Sequence, residues 1–153
     1  MTDFKSRAVR SMVELHEAEL RSFVATWKRF KASGKPMPEA LGDPDYESAE
    51  RLVTHVQGSA RGYLTWIREV LGQPIELQVI RDPALVVPQL DAYMGETLEA
   101  WRRHLAGVTN EQLGPDQHKS RWGELFNVDQ MLEHAVIHPM RHRIQLERIL
   151  QSA

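Results

Sequence analysis

Apolar residues recur at three- and four-residue intervals in four stretches of the chain, separated by clusters of glycine, proline and polar residues. The first stretch runs from about Thr2 to Lys31, where Met12, His16, Leu20, Phe23, Trp27 and Phe30 share one stripe, the period of a helix with one buried face. Ser33-Gly34-Lys35-Pro36-Met37-Pro38 and then Gly42-Asp43-Pro44 cannot continue it, because glycine ends a helix and proline has no backbone donor. A loop of roughly a dozen residues is expected there. The second helix is predicted from about Asp45 to Leu71, with Leu52, Val56, Ala60, Leu64, Ile67 and Leu71 toward the core, His55 flanking them and Gly72 closing the helix. Ile75, Leu77 and Val79 alternate as a strand would, but no second run of that kind exists to pair with them, so Gln73 to Pro83 reads as an extended linker.

The third helix carries Leu90, Met94, Leu98, Trp101 and Leu105, and Pro83 and Pro88 compete as its first-turn residue. A polar connection from Gly107 to Arg121 leads to Asn127, an N-cap with Gln130 three residues on. The fourth helix runs from there to the C-terminus, with Val128, Met131, Leu132, Ala135, Leu146, Ile149 and Leu150 on its apolar face. The expected fold is all-α: one four-helix-bundle domain over residues 1–153, with long loops between helices one and two and between helices three and four.

Charge narrows the functional classes. Lys and Arg number 19 against 21 Asp and Glu, net −2, and the charges are interspersed, which argues against a nucleic-acid partner, since that needs a basic face. No apolar run approaches the ~20 residues of a membrane span, and Met1-Thr2-Asp3-Phe4-Lys5 has no secretory apolar core, so a cytoplasmic protein without a membrane partner is expected. The sequence has no cysteine. Disulfides, thiolate zinc sites and cysteine nucleophiles are therefore excluded, and any metal must be held by nitrogen and oxygen ligands.

Candidate chemistry concentrates in Glu133-His134-Ala135-Val136-Ile137-His138-Pro139-Met140-Arg141-His142-Arg143. Residues four apart lie one above the other on a helix, so adjacent histidines of this run point the same way, as a metal requires. At ~100° per residue His134 is rotated about 80° from His142, so the triplet is a spiral. Two of these imidazoles plus a residue from another helix make the better site. His55, within Leu52-Val53-Thr54-His55-Val56, is a histidine in a facing helix. A lone histidine on an apolar stripe is ordinarily a satisfied core residue. Clustered buried imidazoles are costly to satisfy by hydrogen bonds alone, and a metal removes that cost. Pro139 cannot donate to the carbonyl of Ala135, so a kink is expected; it either opens space for a substrate beside His138 or is simply tolerated in a long helix. His16 either lines a cavity or is merely buried. His104 reads as a cation at a helix C-terminus and His118 as solvated loop. Glu133 and Glu147 bracket the run, but neighbours of a helical histidine usually occupy a different face, so no catalytic residue is assigned.

The last block, His138-Pro139-Met140-Arg141-His142-Arg143-Ile144-Gln145, with His55 early in the second helix, resembles the DinB-like (YfiT-like) superfamily, whose final helix carries His-x3-His-Arg-x-Gln. The similarity in helix order covers essentially the whole chain; the departures are Pro139 in place of a helix-compatible residue and Ile144 in place of glycine. The resemblance implies a divalent metal, zinc or nickel, held by His55, His138 and His142, with His134 beside the site or at the surface. It also implies a metal-dependent enzyme with an open coordination position, either a transferase using a low-molecular-weight thiol on a small organic substrate or a small hydrolase. The alternative is a non-catalytic metal or small-ligand binding protein of stress response. DNA binding is not implied. A homodimer is expected because long amphipathic helices commonly bury a second apolar seam, with Phe4 and Val13 as one possible contact.

Overall fold

Side-chain caps decide where the helices begin in the computed structural model, which describes residues 2–38 and 42–152. Helix α1 spans Arg7–Ser33: the Ser6 hydroxyl accepts from the Val9 amide, and Gly34, at φ 69°, takes the left-handed turn that ends it. It therefore starts later than the periodicity from Thr2 suggested. Helix α2 spans Ala49–Val70 and is capped by Ser48, whose side chain accepts from the Arg51 amide. Asp45, expected at its start, instead belongs to a separate 3-10 turn, Pro44–Tyr46. Both competing prolines are used: Pro83 opens a single α-turn, Pro83–Val86, and Pro88 sits in the 3-10 turn Val87–Gln89 that leads into helix α3, Leu90–Leu105. Helix α4 spans Val128–Gln151 behind the predicted box, with Asn127 Oδ1 accepting from the Gln130 amide at 2.8 Å and Gln130 Oε1 from the Asn127 amide at 3.0 Å. It is helical on both sides of the buried Pro139.

The four long helices pack on one another, α1 along α4 most extensively. Their apolar faces form two clusters. One holds Leu20, Phe23, Leu52, Val56, Leu98 and Leu146; the other holds Val13, Leu64, Ile67, Trp101, Met131 and Leu132. Buried polar residues mark the passage between them: His16 between Val13 and Leu20, Arg61 between Ala60 and Leu64, and His142 between Ala135 and Leu146. Val13 is only 2% exposed and Phe4 packs on the second cluster, so neither is free for the dimer contact suggested from the sequence. The stripe of α1 takes Val13, with Met12 at its edge.

The 73–82 segment is extended without strand pairing. Buried Arg61 pins it: its guanidinium lies 3.4 Å over the Tyr93 ring and donates to Gln78 O at 2.8 Å and Thr97 Oγ1 at 2.8 Å. The Ile80 amide donates to Tyr93 Oη at 3.3 Å. A hairpin missed by the sequence reading joins α3 to α4: β1, His118–Lys119, pairs antiparallel with β2, Leu125–Phe126. His118 is thus a half-buried strand residue and not solvated loop. With strands this short, no run of alternation announced them. Among the described residues no helix is long and apolar enough to cross a membrane.

Candidate metal centre

Starting α2 at Ala49 places His55 in its second turn, opposite two successive turns of α4 that carry His138 and His142. Ligand nitrogens of these three residues lie within 4.8 Å of one another. His55 Nε2 and His138 Nε2 are 3.0 Å apart, and each pair of rings meets edge-on. Zinc–nitrogen bonds of ~2.0–2.1 Å put two tetrahedral ligands about 3.4 Å apart, so this pair is within a few tenths of an ångström of a shared ion.

Hydrogen bonds at the far side of two rings select the tautomer. His142 Nδ1 is 2.9 Å from Gln145 Oε1, and an amide oxygen only accepts, so the proton sits on Nδ1 and Nε2 carries a lone pair. That Nε2 is buried and has no hydrogen-bond partner. His55 Nδ1 is 3.2 Å from Asp45 Oδ2, which likewise leaves Nε2 bare toward His138. An all-imidazole set with carboxylate and amide acceptors behind it fits a borderline divalent cation. Three ligands leave a coordination position for a small molecule.

Burial keeps the rings neutral. It pushes His138 down to about 2, aided by the charges of His142 and His55, and His142 down to about 4 against the opposing bond to Gln145. His55 is lowered as well, by burial first, while Asp45 pulls the other way. All three are therefore unprotonated at neutral pH, the form that coordinates.

The remaining histidines separate from this group. His134 stands with aromatic side chains: Tyr63 Oη is 2.6 Å from its Nδ1, Trp122 stacks on it at 5.8 Å, and Phe126 meets it edge-on at 5.3 Å. His16 is fully buried and stacked on Trp101 at 3.8 Å, and neither ring nitrogen has a partner. His104 lies in the last turn of α3, but burial and then Arg103 and Arg68 lower its pKa, so Arg102 and Arg103 are the cations there. Glu133 is exposed, and Glu147 accepts from Arg143 at 3.1 Å. Asp45 is the carboxylate at the site, and nothing in the sequence marked it, since it reaches His55 from a turn before the helix.

Two cavities flank the histidines. The smaller, about 240 Å³, lies beside Tyr46, Leu52 and Gln145. The larger, about 560 Å³, lies between α2, the 73–82 segment and the hairpin, and includes Ser59, Tyr63, Trp66, Arg81 and Trp122. Neither touches Pro139 or His16. The larger space therefore opens on the α2 side of the centre and the smaller beside the C-terminal part of α4, and His16 lines neither. No family model, curated protein or solved structure matches this chain.

Proposed function

We propose that this protein is a DinB-like four-helix bundle that holds one divalent ion, zinc or nickel, at His55, His138 and His142, and that it is a metal-dependent enzyme acting through the open position. The observation that carries the reading is the buried, unpartnered Nε2 of His142, one of three imidazoles whose ligand nitrogens lie within 4.8 Å of one another. A buried nitrogen lone pair without a donor is costly, and coordination removes the cost. Bound there, the ion lowers the pKa of a thiol or water, which suits a thiol-dependent transferase or a small hydrolase. Asp45 and Gln145 hold the His55 and His142 rings in the tautomer that presents Nε2. Arg141 adds positive charge that disfavours protonation of all three ligands.

One observation favours the alternative, a binding protein without turnover: Glu133 points to solvent and Glu147 is tied to Arg143, so neither supplies a base. A homodimer accompanies either reading, with exposed Leu15 and Ile137 as candidate contacts in place of Phe4 and Val13. Elemental analysis of untagged protein after reconstitution decides the metal: one ion per chain is expected, lost in His138→Ala and His142→Ala and retained in His134→Ala. Protein that takes up no ion at neutral pH refutes the centre. Thiol-transfer and ester-hydrolysis assays of the loaded protein decide between enzyme and binder.

A further inference from the structure

His55, Ser59, Gly62 and Trp66 follow one another along α2 at three- and four-residue steps, with Tyr63 four residues after Ser59, so one helical stripe leaves the metal histidines and becomes the floor of the 560 Å³ cavity. Two glycines inside this helix, where glycine is intrinsically unfavourable, have separate explanations. A Cβ on Gly58 would meet Val79 Cγ1 at 3.4 Å and an Arg81 guanidinium nitrogen at 3.7 Å, so Gly58 lets the extended segment cross close over the helix. Arg61 and Tyr93 pin that segment from below, and Arg81 is thereby delivered to the cavity wall. Gly62 has nothing within 4 Å of a Cβ position, and its missing side chain leaves the floor open.

The opposite wall comes from the hairpin. Lys119 and Arg121 line it, with Trp122, 55% exposed and edge-on to Trp66 at 6.1 Å. Against Arg81, Lys119 and Arg121 the cavity has one carboxylate, Glu69. Among the described residues none of those three cations forms an ion pair. The volume falls in the range of small-molecule sites, roughly 300–1,000 Å³. An aromatic lining beside unpaired cations on a chain of net charge −2 is a local exception to the interspersed pattern elsewhere.

We infer that this cavity binds a small organic anion with a flat apolar body, its acid group held by Arg81, Lys119 and Arg121 and its body against Trp66 and Trp122. Tyr63 belongs to the cavity and its ring is 6.4 Å from that of His138, so the inner end of the site meets the metal centre across this ring, the three histidines themselves lying outside the lining. This deepens the metal reading by naming the substrate class, and it rests on that reading only for what the inner end meets. Binding itself comes from the cations and rings.

The test uses 2-naphthoate and its neutral isostere 2-naphthamide, titrated calorimetrically and by tryptophan quenching into metal-loaded and chelator-treated protein. Naphthoate should bind at least about tenfold more tightly than the amide, a difference of about 1.4 kcal/mol, and keep its affinity within a few-fold after metal removal. The Lys119→Gln/Arg121→Gln double variant should lose most of that preference, and Gly62→Leu should block both probes while Gly62→Ala stays folded. Equal affinity for the two probes, or no binding of either at millimolar concentration, overturns the inference. Naphthoate binding that disappears with the metal but survives the double variant also overturns it, because the carboxylate would then be a ligand of the ion. Charge-dependent binding to protein that takes up no metal would leave this site standing while the metal reading fell.

Discussion

Replacing His16 by leucine should make the protein more stable, and more so in acid. The imidazole is fully buried, with both ring nitrogens unpartnered. Mutational data put an unsatisfied buried polar atom at about 1–3 kcal/mol, so two cost about 2–6 kcal/mol. Leucine is of similar size and forfeits the stack on Trp101, about 0.5–1.5 kcal/mol. The net gain at pH 7.5 is then of order 0.5–5.5 kcal/mol. Burial also pushes the His16 pKa from 6.5 down to about 3. Between those values the unfolded chain binds a proton that the folded protein refuses. The stability linked to His16 is therefore complete above pH 6.5 and is lost as pH falls toward 3. At pH 5 the 1.5 units below 6.5 cost the wild type about 2 kcal/mol, and the leucine variant nothing. Urea unfolding of both proteins at the two pH values, with chelator present so that terms from the metal histidines cancel in the difference, measures this. The advantage of the variant should grow by about 2 kcal/mol on going to pH 5. A destabilised variant, or an advantage independent of pH, refutes the account of His16 as a neutral, unsatisfied core residue.

Three further outcomes follow from the site. Asp45→Ala frees the His55 ring to rotate and change tautomer, and should weaken metal affinity by about 10–100-fold in competition titrations with a chromophoric chelator; unchanged affinity would remove Asp45 from the centre. Because burial pushes His138 and His142 down to about 2 and about 4 and lowers His55 as well, metal affinity should fall far less between pH 7 and pH 5 than protonation of three ligands would require. Three ordinary imidazoles would lose several orders of magnitude over the same interval, and such a loss would show the rings to be exposed. Gly62→Ala should raise stability by about 1 kcal/mol in urea unfolding, since the new methyl meets nothing within 4 Å; destabilisation would mean the helix bends at Gly62 for a reason the packing does not reveal.

Periodicity carried most of the helical architecture because each long helix buries one face continuously. Stripe residues such as Leu20, Phe23, Leu64, Trp101 and Leu132 are all buried, and Asn127 with Gln130 forms the cap that its spacing announced. Boundaries slipped where a cap outranked the apolar pattern, as with Ser6 and Ser48. The three-histidine grouping was legible through the helical repeat in α4 and the resemblance that added His55. The oxygen acceptors were not. Asp45 reaches its partner across a loop, and Gln145 stood in the quoted motif with no role attached, because a hydrogen bond to the far side of a ring leaves no signature in spacing. The larger cavity was not legible for a related reason: Pro139 offered α4 as one of two readings, whereas the space comes from Gly62 and from a strap crossing over Gly58, and an absent side chain reveals its purpose only when its surroundings are known.

The split core connects these points. A continuous apolar interior would be the more stable solution for four helices, yet His16, Gln57 and His142 all place unpartnered polar atoms in the buried interior. A protein above its stability threshold can carry such a cost, and for His142 a use for it is visible: its Nε2 joins His55 and His138 while Gln145 fixes its other nitrogen. His16 has no such company, which makes its removal a test of stability and not of chemistry. Gln57 sits two residues from both His55 and Ser59, on the opposite face of the helix that carries the centre and the cavity floor, with its amide oxygen and nitrogen both unmatched. His16 in α1 and His142 in α4 both fall between residues of the two apolar clusters, so the break in the apolar interior includes a histidine of the metal group, and the clusters on either side hold its helix in place.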